Sequence, residues 1–126
     1  MRATDPYMQL LGLQTRLLEP GRAVVTAQVR PEHLNIHSNC HGGFLYSLAD
    51  AAFALASISC NTPAVAPSTQ MLHSKAVRAG EYLEASEETL GCRTATYRVE
   101  IRSKKRVVSL FTGTALHIEG QPAYTC

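Results

Sequence analysis

The sequence GGFLYSLADAAFALASISC runs from Gly42 to Cys60 and is apolar on nearly every side when it is drawn as a helix. Alanine and leucine are strong helix formers, and a helix that is apolar all round is typical of a buried position. Asn61-Thr62-Pro63 follows at once, and proline cannot continue a helix. These residues predict one long, buried helix that the rest of the chain must cover.

A short helix and a hairpin are predicted before the long helix. Asp5 suits the cap of a helix, Pro6 its first position and Gly12 its exit. Two strands then follow, and a turn with Pro20 and Gly21 at its centre joins them.

Six strands are predicted in all, and we expect them to form one antiparallel sheet in hairpin-like succession. They are Leu13 to Leu18, Arg22 to Arg30, Val65 to Val77, Tyr82 to Leu90, Thr94 to Arg102 and Val107 to Ile118. The later turns are Arg78-Ala79-Gly80-Glu81, Gly91-Cys92 and Ser103-Lys104-Lys105. Because the apolar helix must be covered, we expect an α+β fold with the curved sheet wrapped around the helix. One sheet leaves a face and edges open, so a homodimer or homotetramer is also expected.

Length, composition and charge restrict the class of protein. The 126 residues, 45% of them hydrophobic, predict a single folded domain over residues 1–126. A net charge of +2 is too small for a dedicated nucleic-acid-binding protein. No apolar run reaches the roughly eighteen residues of a membrane span, and the first residues do not resemble a signal peptide. We therefore expect a soluble, cytoplasmic protein with no nucleic-acid or membrane partner.

The cysteines and histidines predict neither disulfides nor a metal centre. Without a secretory signal the four cysteines are expected to be reduced thiols. Three histidines lie close to Cys40, but no second group of ligands completes a tetrahedral site. These histidines are His33, His37 and His41. We expect no metal and no cofactor.

Asp50 lies in the middle of the predicted buried helix, where an isolated carboxylate is costly unless it is paired or hydrogen-bonded. Small residues occupy the same helical stripe and leave room for a partner chain or a ligand. They are Gly43, Ser47, Ala54 and Ser57. The alternative is a structural role in which Asp50 hydrogen-bonds to Ser47 and holds the helix in place.

The start of the long helix favours a functional role for Asp50. His41-Gly42-Gly43 leaves backbone N–H groups open in the first turn, and such a helix end stabilises negative charge. Gly42 precedes Asp50 by eight residues, which is about 12 Å along a helix. The two residues are too far apart to act on one atom within one chain. Two chains packed antiparallel would bring Gly42 of one to Asp50 of the other.

The pattern Asn35-x5-His41-Gly42-Gly43-x4-Leu48-Ala49-Asp50-x2-Phe53 resembles the signature of hot-dog-fold acyl-CoA thioesterases. The similarity is greatest to the phenylacetic-acid-degradation subfamily. It extends over the element order of residues 5–118 and over Gly80-Glu81-x-Leu83-x-Ala85. The resemblance implies a hot-dog fold and hydrolysis of acyl-CoA or aryl-acyl-CoA thioesters by a homo-oligomer, without a metal or redox cofactor.

The resemblance also implies roles for individual residues. Asp50 matches the catalytic carboxylate, as a general base on water or as a nucleophile. Gly42 matches the glycine whose N–H polarises the thioester carbonyl across the subunit interface. Asn35 matches the residue that positions the water or the carbonyl, or it simply closes a turn. His41 matches the histidine before the glycine, or it caps the helix.

The substrate-binding wall is less well matched to the family. In the family a Ser or Thr early in the strand after the helix assists from the partner chain, which indicates Ser68 or Thr69. Gly43 is expected beside the substrate at the helix start. Where the family often has Leu-Arg-Pro, this chain has Ser74-Lys75-Ala76, so the acyl preference stays open.

Other functions and mechanisms stay open beside this one. A hydratase or dehydratase on the same fold, or a non-catalytic acyl-CoA binding or sensing module, would use a similar scaffold.

Cys40 beside His41 suggests a thiol nucleophile, but sequence neighbours do not face each other as that chemistry needs. Lys104-Lys105-Arg106 is a solvated hairpin tip or, alternatively, a phosphate-binding site. The sequence does not fix the acyl group or distinguish CoA from carrier-protein thioesters. Nor does it fix a dimer or tetramer, or a general-base or covalent route.

Overall fold

A computed structural model describes residues 4–59, 64–88 and 96–117. The elements in chain order are α1 (Pro6–Leu11), β1 (Gln14–Glu19), β2 (Arg22–Gln28), a short 3-10 helix (Pro31–His33), α2 (Gly42–Ser59), β3 (Ala64–His73), β4 (Tyr82–Glu88), β5 (Thr96–Ser103) and β6 (Arg106–His117). Every predicted helix and strand is present, and the predicted ends that fall on described residues differ from the observed ends by a few residues. The predicted ends at Cys60, Leu90, Thr94 and Ile118 lie outside the described residues. The predicted turn at Gly91-Cys92 lies outside the described residues.

The first helix begins and ends as its sequence predicts. The Asp5 carboxylate accepts a hydrogen bond of 2.7 Å from the Met8 N–H, and Pro6 occupies the first turn. Gly12 ends the helix in the left-handed conformation with φ of 77°, which glycine adopts without steric cost. Met8 and Leu13 are buried and anchor this short helix to the core.

The six strands form one antiparallel sheet in the order β1-β2-β4-β5-β6-β3. The expected hairpin-like succession is wrong for β3, which lies at the far edge beside β6 instead of between β2 and β4. The physical reason is α2, which follows β2 in the chain. The helix crosses the sheet, so that β3 begins at the opposite edge. β4 then takes the free side of β2, with Val25 opposite Ala85.

β3 ends at His73 and does not continue to Val77 as predicted. The N–H groups of Ser74 and Lys75 both turn towards the carbonyl of Val108, at 2.9 and 3.3 Å. The Val77 carbonyl instead accepts a hydrogen bond of 2.6 Å from the Cys40 N–H. The segment after β3 therefore ties the edge of the sheet to the start of α2.

The sheet curves around α2, which confirms the predicted α+β hot-dog architecture. The helix packs on the inner faces of the strands, chiefly on β2. Large inward-facing residues fill the space between them, and Phe53 meets Tyr97 edge to face with ring centroids 5.1 Å apart. The helix residues buried in this core are Phe44, Leu45, Leu48, Ala49, Ala52, Phe53, Leu55 and Ala56. No helix in the described part of the chain is long and apolar enough to cross a membrane.

α2 is buried as predicted except along one stripe of its surface, the small-residue stripe that is expected to leave room for a partner chain or a ligand. Gly43 and Asp50 are exposed, Ser47 and Ala54 are half-buried, and only Ser57 is fully buried. The sheet covers the face with the large side chains and leaves the stripe from Gly43 to Ala54 at least partly uncovered. The carboxylate of Asp50 is therefore accessible in the single chain.

Two hairpin tips lie where the sequence predicts them. Gly21 has φ of 76° between β1 and β2, as a turn with glycine at its third position requires. Between β5 and β6, Lys104 and Lys105 both have positive φ, 52° and 68°. Two successive positive values define the turn that ordinarily carries Asn-Gly, so the lysines hold a backbone conformation that costs them energy.

Candidate functional site

The start of α2 is held in place by residues on both sides of it. The His41 N–H donates to the His33 carbonyl at 2.8 Å, and the His41 carbonyl accepts from Phe44 and Leu45. The His41 ring caps the helix, because its Nδ1 accepts a hydrogen bond of 2.8 Å from the Gly43 N–H. This contact matches the capping alternative for His41.

Gly42 is the first residue of the helix and is placed differently from Gly43. No acceptor for its N–H is found among the described residues, whereas the N–H of Gly43 is taken by His41. Helix geometry leaves the first N–H groups without partners inside the helix. Of the two glycines, Gly42 is therefore the one whose amide is open to a ligand.

Asn35 organises the loop before the helix. Its Oδ1 accepts hydrogen bonds from the N–H groups of His37 and Asn39, at 2.8 and 3.2 Å. The backbone of Asn35 also bonds to Asn39, with its N–H 2.8 Å from the carbonyl. Asn35 therefore closes a turn, as one of its two interpretations proposes. It also lies beside a cleft at the start of α2, so its part in the turn does not remove it from the site.

A cleft of about 330 Å³ opens at the start of α2, and we call it the Gly42 cleft. Its walls come from the loop with Asn35, from the helix start and from the segment that follows β3. They include Cys40, Leu45 and residues 74–77. The structure thus brings Asn35 and Gly42 together, although the sequence separates them by a loop.

His73 also lines the Gly42 cleft, and the sequence did not single it out. Its Nδ1 lies 2.9 Å from the hydroxyl of Ser109 on β6. A methyl group placed on Gly42 would lie 3.3 Å from the His73 Nε2. The only sequence signal is a histidine near the end of a predicted strand, and its partner is 36 positions away.

Asp50 does not reach the Gly42 cleft of its own chain, since it lies eight residues further along α2. The atoms packed around it raise the pKa of its carboxyl, and the negative charge of Asp5 raises that pKa further. No cation or hydrogen-bond donor contacts the carboxylate among the described residues. The bond to Ser47 that the structural alternative proposes is not present among the described residues, and the Ser47 hydroxyl instead meets that of Tyr7 at 3.0 Å. Asp50 is an exposed, partly desolvated carboxyl group.

The two candidate residues on β3 have different surroundings. Ser68 is exposed, whereas Thr69 is half-buried and its hydroxyl lies 2.9 Å from that of Tyr46 on α2. The Tyr46 ring also packs edge to face against Phe111. Ser68 is therefore the freer hydroxyl for a partner chain or a ligand.

Cys40 is unsuited to the role of a thiol nucleophile, and His33 is unsuited to the role of a metal ligand. Burial, with the charge of Glu81 as a smaller cause, raises the pKa of the Cys40 thiol to about 11, which disfavours the nucleophilic thiolate. The His33 ring is buried and stacks on Phe44 with centroids 3.8 Å apart. Within the three described ranges, no group of three His, Cys, Asp or Glu residues is arranged to hold a metal ion.

Comparison with known proteins shows similarity along most of the chain. The family described as the thioesterase superfamily matches residues 37–110. Acyl-coenzyme A thioesterase PaaI of Escherichia coli is 37% identical over 123 residues, which cover 95% of this chain and 88% of that protein. A mutant of the phenylacetic acid degradation protein PaaI of Thermus thermophilus has a solved structure with 51% identity and a TM-score of 0.83, covering 90% of this chain and 100% of that chain. A hypothetical thioesterase of Streptococcus pneumoniae, solved with coenzyme A, is 27% identical with a TM-score of 0.78, covering 88% and 91%.

Proposed function

The chain belongs to the thioesterase superfamily, as the pattern around His41-Gly42-Gly43 predicts, and from this we propose that it hydrolyses acyl-CoA thioesters to a free acid and CoA. The relative in Escherichia coli bears the name of that activity, and a structural neighbour was solved with coenzyme A. The Thermus neighbour is named for phenylacetic acid degradation, which favours an aryl-acyl group among the substrates.

The observation that carries the proposal is the open amide of Gly42 in a cleft at the positive end of α2. A thioester carbonyl gains negative charge on its oxygen when it is attacked. A backbone N–H at a helix start stabilises that charge without reorganising. Asn35 borders the same cleft and would orient the water or the carbonyl, and Gly43 would border the substrate.

Asp50 supplies the second half of the chemistry. In the general-base route its carboxylate takes a proton from water, the water oxygen bonds to the carbonyl carbon, and the C–S bond breaks to release the CoA thiolate. In the covalent route the carboxylate attacks the carbonyl carbon, the C–S bond breaks to release the CoA thiolate, and water then hydrolyses the resulting mixed anhydride to the free acid and the Asp50 carboxylate. Both routes use an ionised Asp50, and its accessibility in the single chain is consistent with either.

The separation of Gly42 and Asp50 along α2 supports a site that is shared between two copies of the chain. About 12 Å of helix divides them, which exceeds the reach of one carbonyl group. We propose a homodimer, alone or within a tetramer, in which Gly42 of one chain and Asp50 of the other form one site. Ser68, or Thr69 beside it, would complete that site from the partner chain. His41 would act through its cap, which fixes the direction of the Gly42 amide.

Thiol release from short, medium, long and aromatic acyl-CoAs tests the activity, with the wild type beside Asp50→Ala and Asp50→Asn. We expect turnover of at least one substrate, and a loss of about 10²-fold or more in both variants. A wild type that retains acyl-CoA without releasing thiol would instead favour the binding or sensing module.

Mixing two inactive variants tests whether the site is shared. Asp50→Asn and Gly42→Val chains are refolded together, so that about half of the dimers contain one of each. One of the two sites in such a dimer has both native residues, so about a quarter of wild-type activity returns. A site confined to one chain gives no recovery, because neither chain then carries both residues. Each variant refolded alone is the control.

A further inference from the structure

His73 and Ser109 form a directed pair on two neighbouring strands. They stand opposite each other in the register of β3 and β6, and the His73 Nδ1 lies 2.9 Å from the Ser109 hydroxyl oxygen. Ser109 is fully buried, whereas His73 is exposed towards the Gly42 cleft. One ring nitrogen is therefore held by a buried group and the other is free to meet a ligand.

The buried hydroxyl favours one tautomer of the ring. Within the described part of the chain, His73 is the one side chain that bonds to the Ser109 hydroxyl. A buried hydroxyl that fails to donate its hydrogen loses stability, and the Nδ1 lone pair is its available acceptor. If Ser109 donates to Nδ1, the proton of a neutral ring stays on Nε2. His73 then presents an N–H donor to the cleft.

The free nitrogen lies close to the amide already assigned to the carbonyl. A methyl group on Gly42 would be 3.3 Å from Nε2. The His73 ring therefore lies close to the backbone of Gly42. Both groups border the same cleft. We propose that His73 is a further catalytic residue, whose Nε2–H hydrogen-bonds to the thioester oxygen together with the Gly42 N–H. This inference rests on the proposed hydrolysis and goes beyond it, because it assigns the second donor of the oxyanion site.

Ser109 is a positioning residue in this arrangement. It does not touch the substrate, and it acts by fixing the tautomer and the plane of the His73 ring. Removing one donor from an oxyanion site lowers kcat by about 10² to 10³-fold in well-studied enzymes, with a smaller effect on KM because the interaction strengthens in the transition state.

Substitution of His73 tests the donor. His73→Phe keeps a ring and removes both nitrogens, and we expect kcat to fall about 10²-fold while KM changes less than about threefold. His73→Gln retains an amide donor on a flexible chain, and its kcat should exceed that of His73→Phe by about tenfold. His37→Ala, at an exposed histidine of the neighbouring loop, is the matched control and should keep wild-type kcat. The proposal is overturned if His73→Phe keeps full kcat in a protein that hydrolyses the substrate.

The tautomer gives a readout that does not depend on turnover. The nitrogen-15 chemical shifts of His73 should place the proton of the neutral ring on Nε2 in the wild type. Ser109→Ala should give a mixture of tautomers and a kcat between that of the wild type and that of His73→Phe. A neutral ring with its proton on Nδ1 contradicts the assignment even if the enzyme is active. A wild type that releases no thiol from any acyl-CoA overturns the proposed function and this inference together.

Discussion

The phenolic oxygen of Tyr7 lies 3.0 Å from the hydroxyl oxygen of Ser47, which joins α1 to the open stripe of α2 one turn before Asp50. The same packing brings the Asp5 carboxylate, which caps α1, within electrostatic range of Asp50. Local burial is the larger reason that the pKa of Asp50 is raised, and the charge of Asp5 adds to it. The first helix thus influences the proposed base from outside the cleft.

Asp5→Asn should move the acidic limb of the pH–rate profile to lower pH. The limb reports the loss of the proton from Asp50, and removing a like charge lowers that pKa. Asparagine is also a good helix cap, so α1 should stay folded. The measurement is kcat/KM for thiol release against pH. Glu84→Gln removes a carboxylate from an exposed position of β4 and is the control. If the acidic limb lies at the same pH in Asp5→Asn and the wild type, Asp5 does not influence the pKa of Asp50.

Asp50→Asn should abolish most of the activity without lowering the thermal stability. The folded-state pKa of Asp50 lies above its unfolded value. Ionisation therefore opposes folding as the pH rises from the unfolded value through the folded one. At neutral pH the neutral amide removes that cost, and the Tm should be equal to or slightly above that of the wild type. Calorimetry beside the thiol assay checks both, and a lower Tm would indicate that Asp50 supports the helix.

His41→Ala should destabilise the protein by about 1 kcal/mol, because it removes the acceptor for the Gly43 N–H. His41→Asn supplies a capping oxygen at the same position and should restore most of the lost stability and activity. Urea unfolding and thiol release give the two quantities for each variant. If Asn restores the stability while activity stays low, His41 takes part in proton transfer and the capping role is insufficient.

The double variant Lys104→Asn with Lys105→Gly should raise stability by about 1 kcal/mol. Both lysines have positive φ, and Asn-Gly is the preferred pair for such a turn. If the tip is simply solvated, KM for an acyl-CoA should stay within about twofold. A KM that rises more than about tenfold at unchanged kcat would show that the lysines bind the phosphates of the substrate.

Local sequence signals predict the elements well. Asp5, Pro6 and Gly12 mark the first helix because capping and proline geometry act within a few residues. The start of α2 at Gly42 and the turn at Lys104-Lys105 also follow from patterns that extend over only a few residues. The role assigned to Asn35 in a turn is also local, because its Oδ1 bonds to residues two and four positions later.

The remaining features depend on which distant segments meet. The alternation within β3 does not encode its neighbour, and its position beside β6 follows from the path of α2 across the sheet. The exposure of Asp50 depends on which stripe of α2 the sheet leaves uncovered, and alanine is compatible with either side. The role proposed for His73 depends on its hydrogen bond to Ser109, which the register of two strands brings about. Composition and spacing do not reveal that register.

The burial of Cys40 affects how the protein would respond to oxidised CoA. Cys40 borders the Gly42 cleft, and burial raises its pKa to about 11, so the protonated thiol is the prevailing form at neutral pH. Oxidised CoA is a disulfide, and disulfides exchange with protein thiolates. A cysteine that stays protonated beside the proposed site of CoA release would resist capture as a mixed disulfide. Turnover would then continue under oxidative stress that would block an exposed, acidic thiol in the same place.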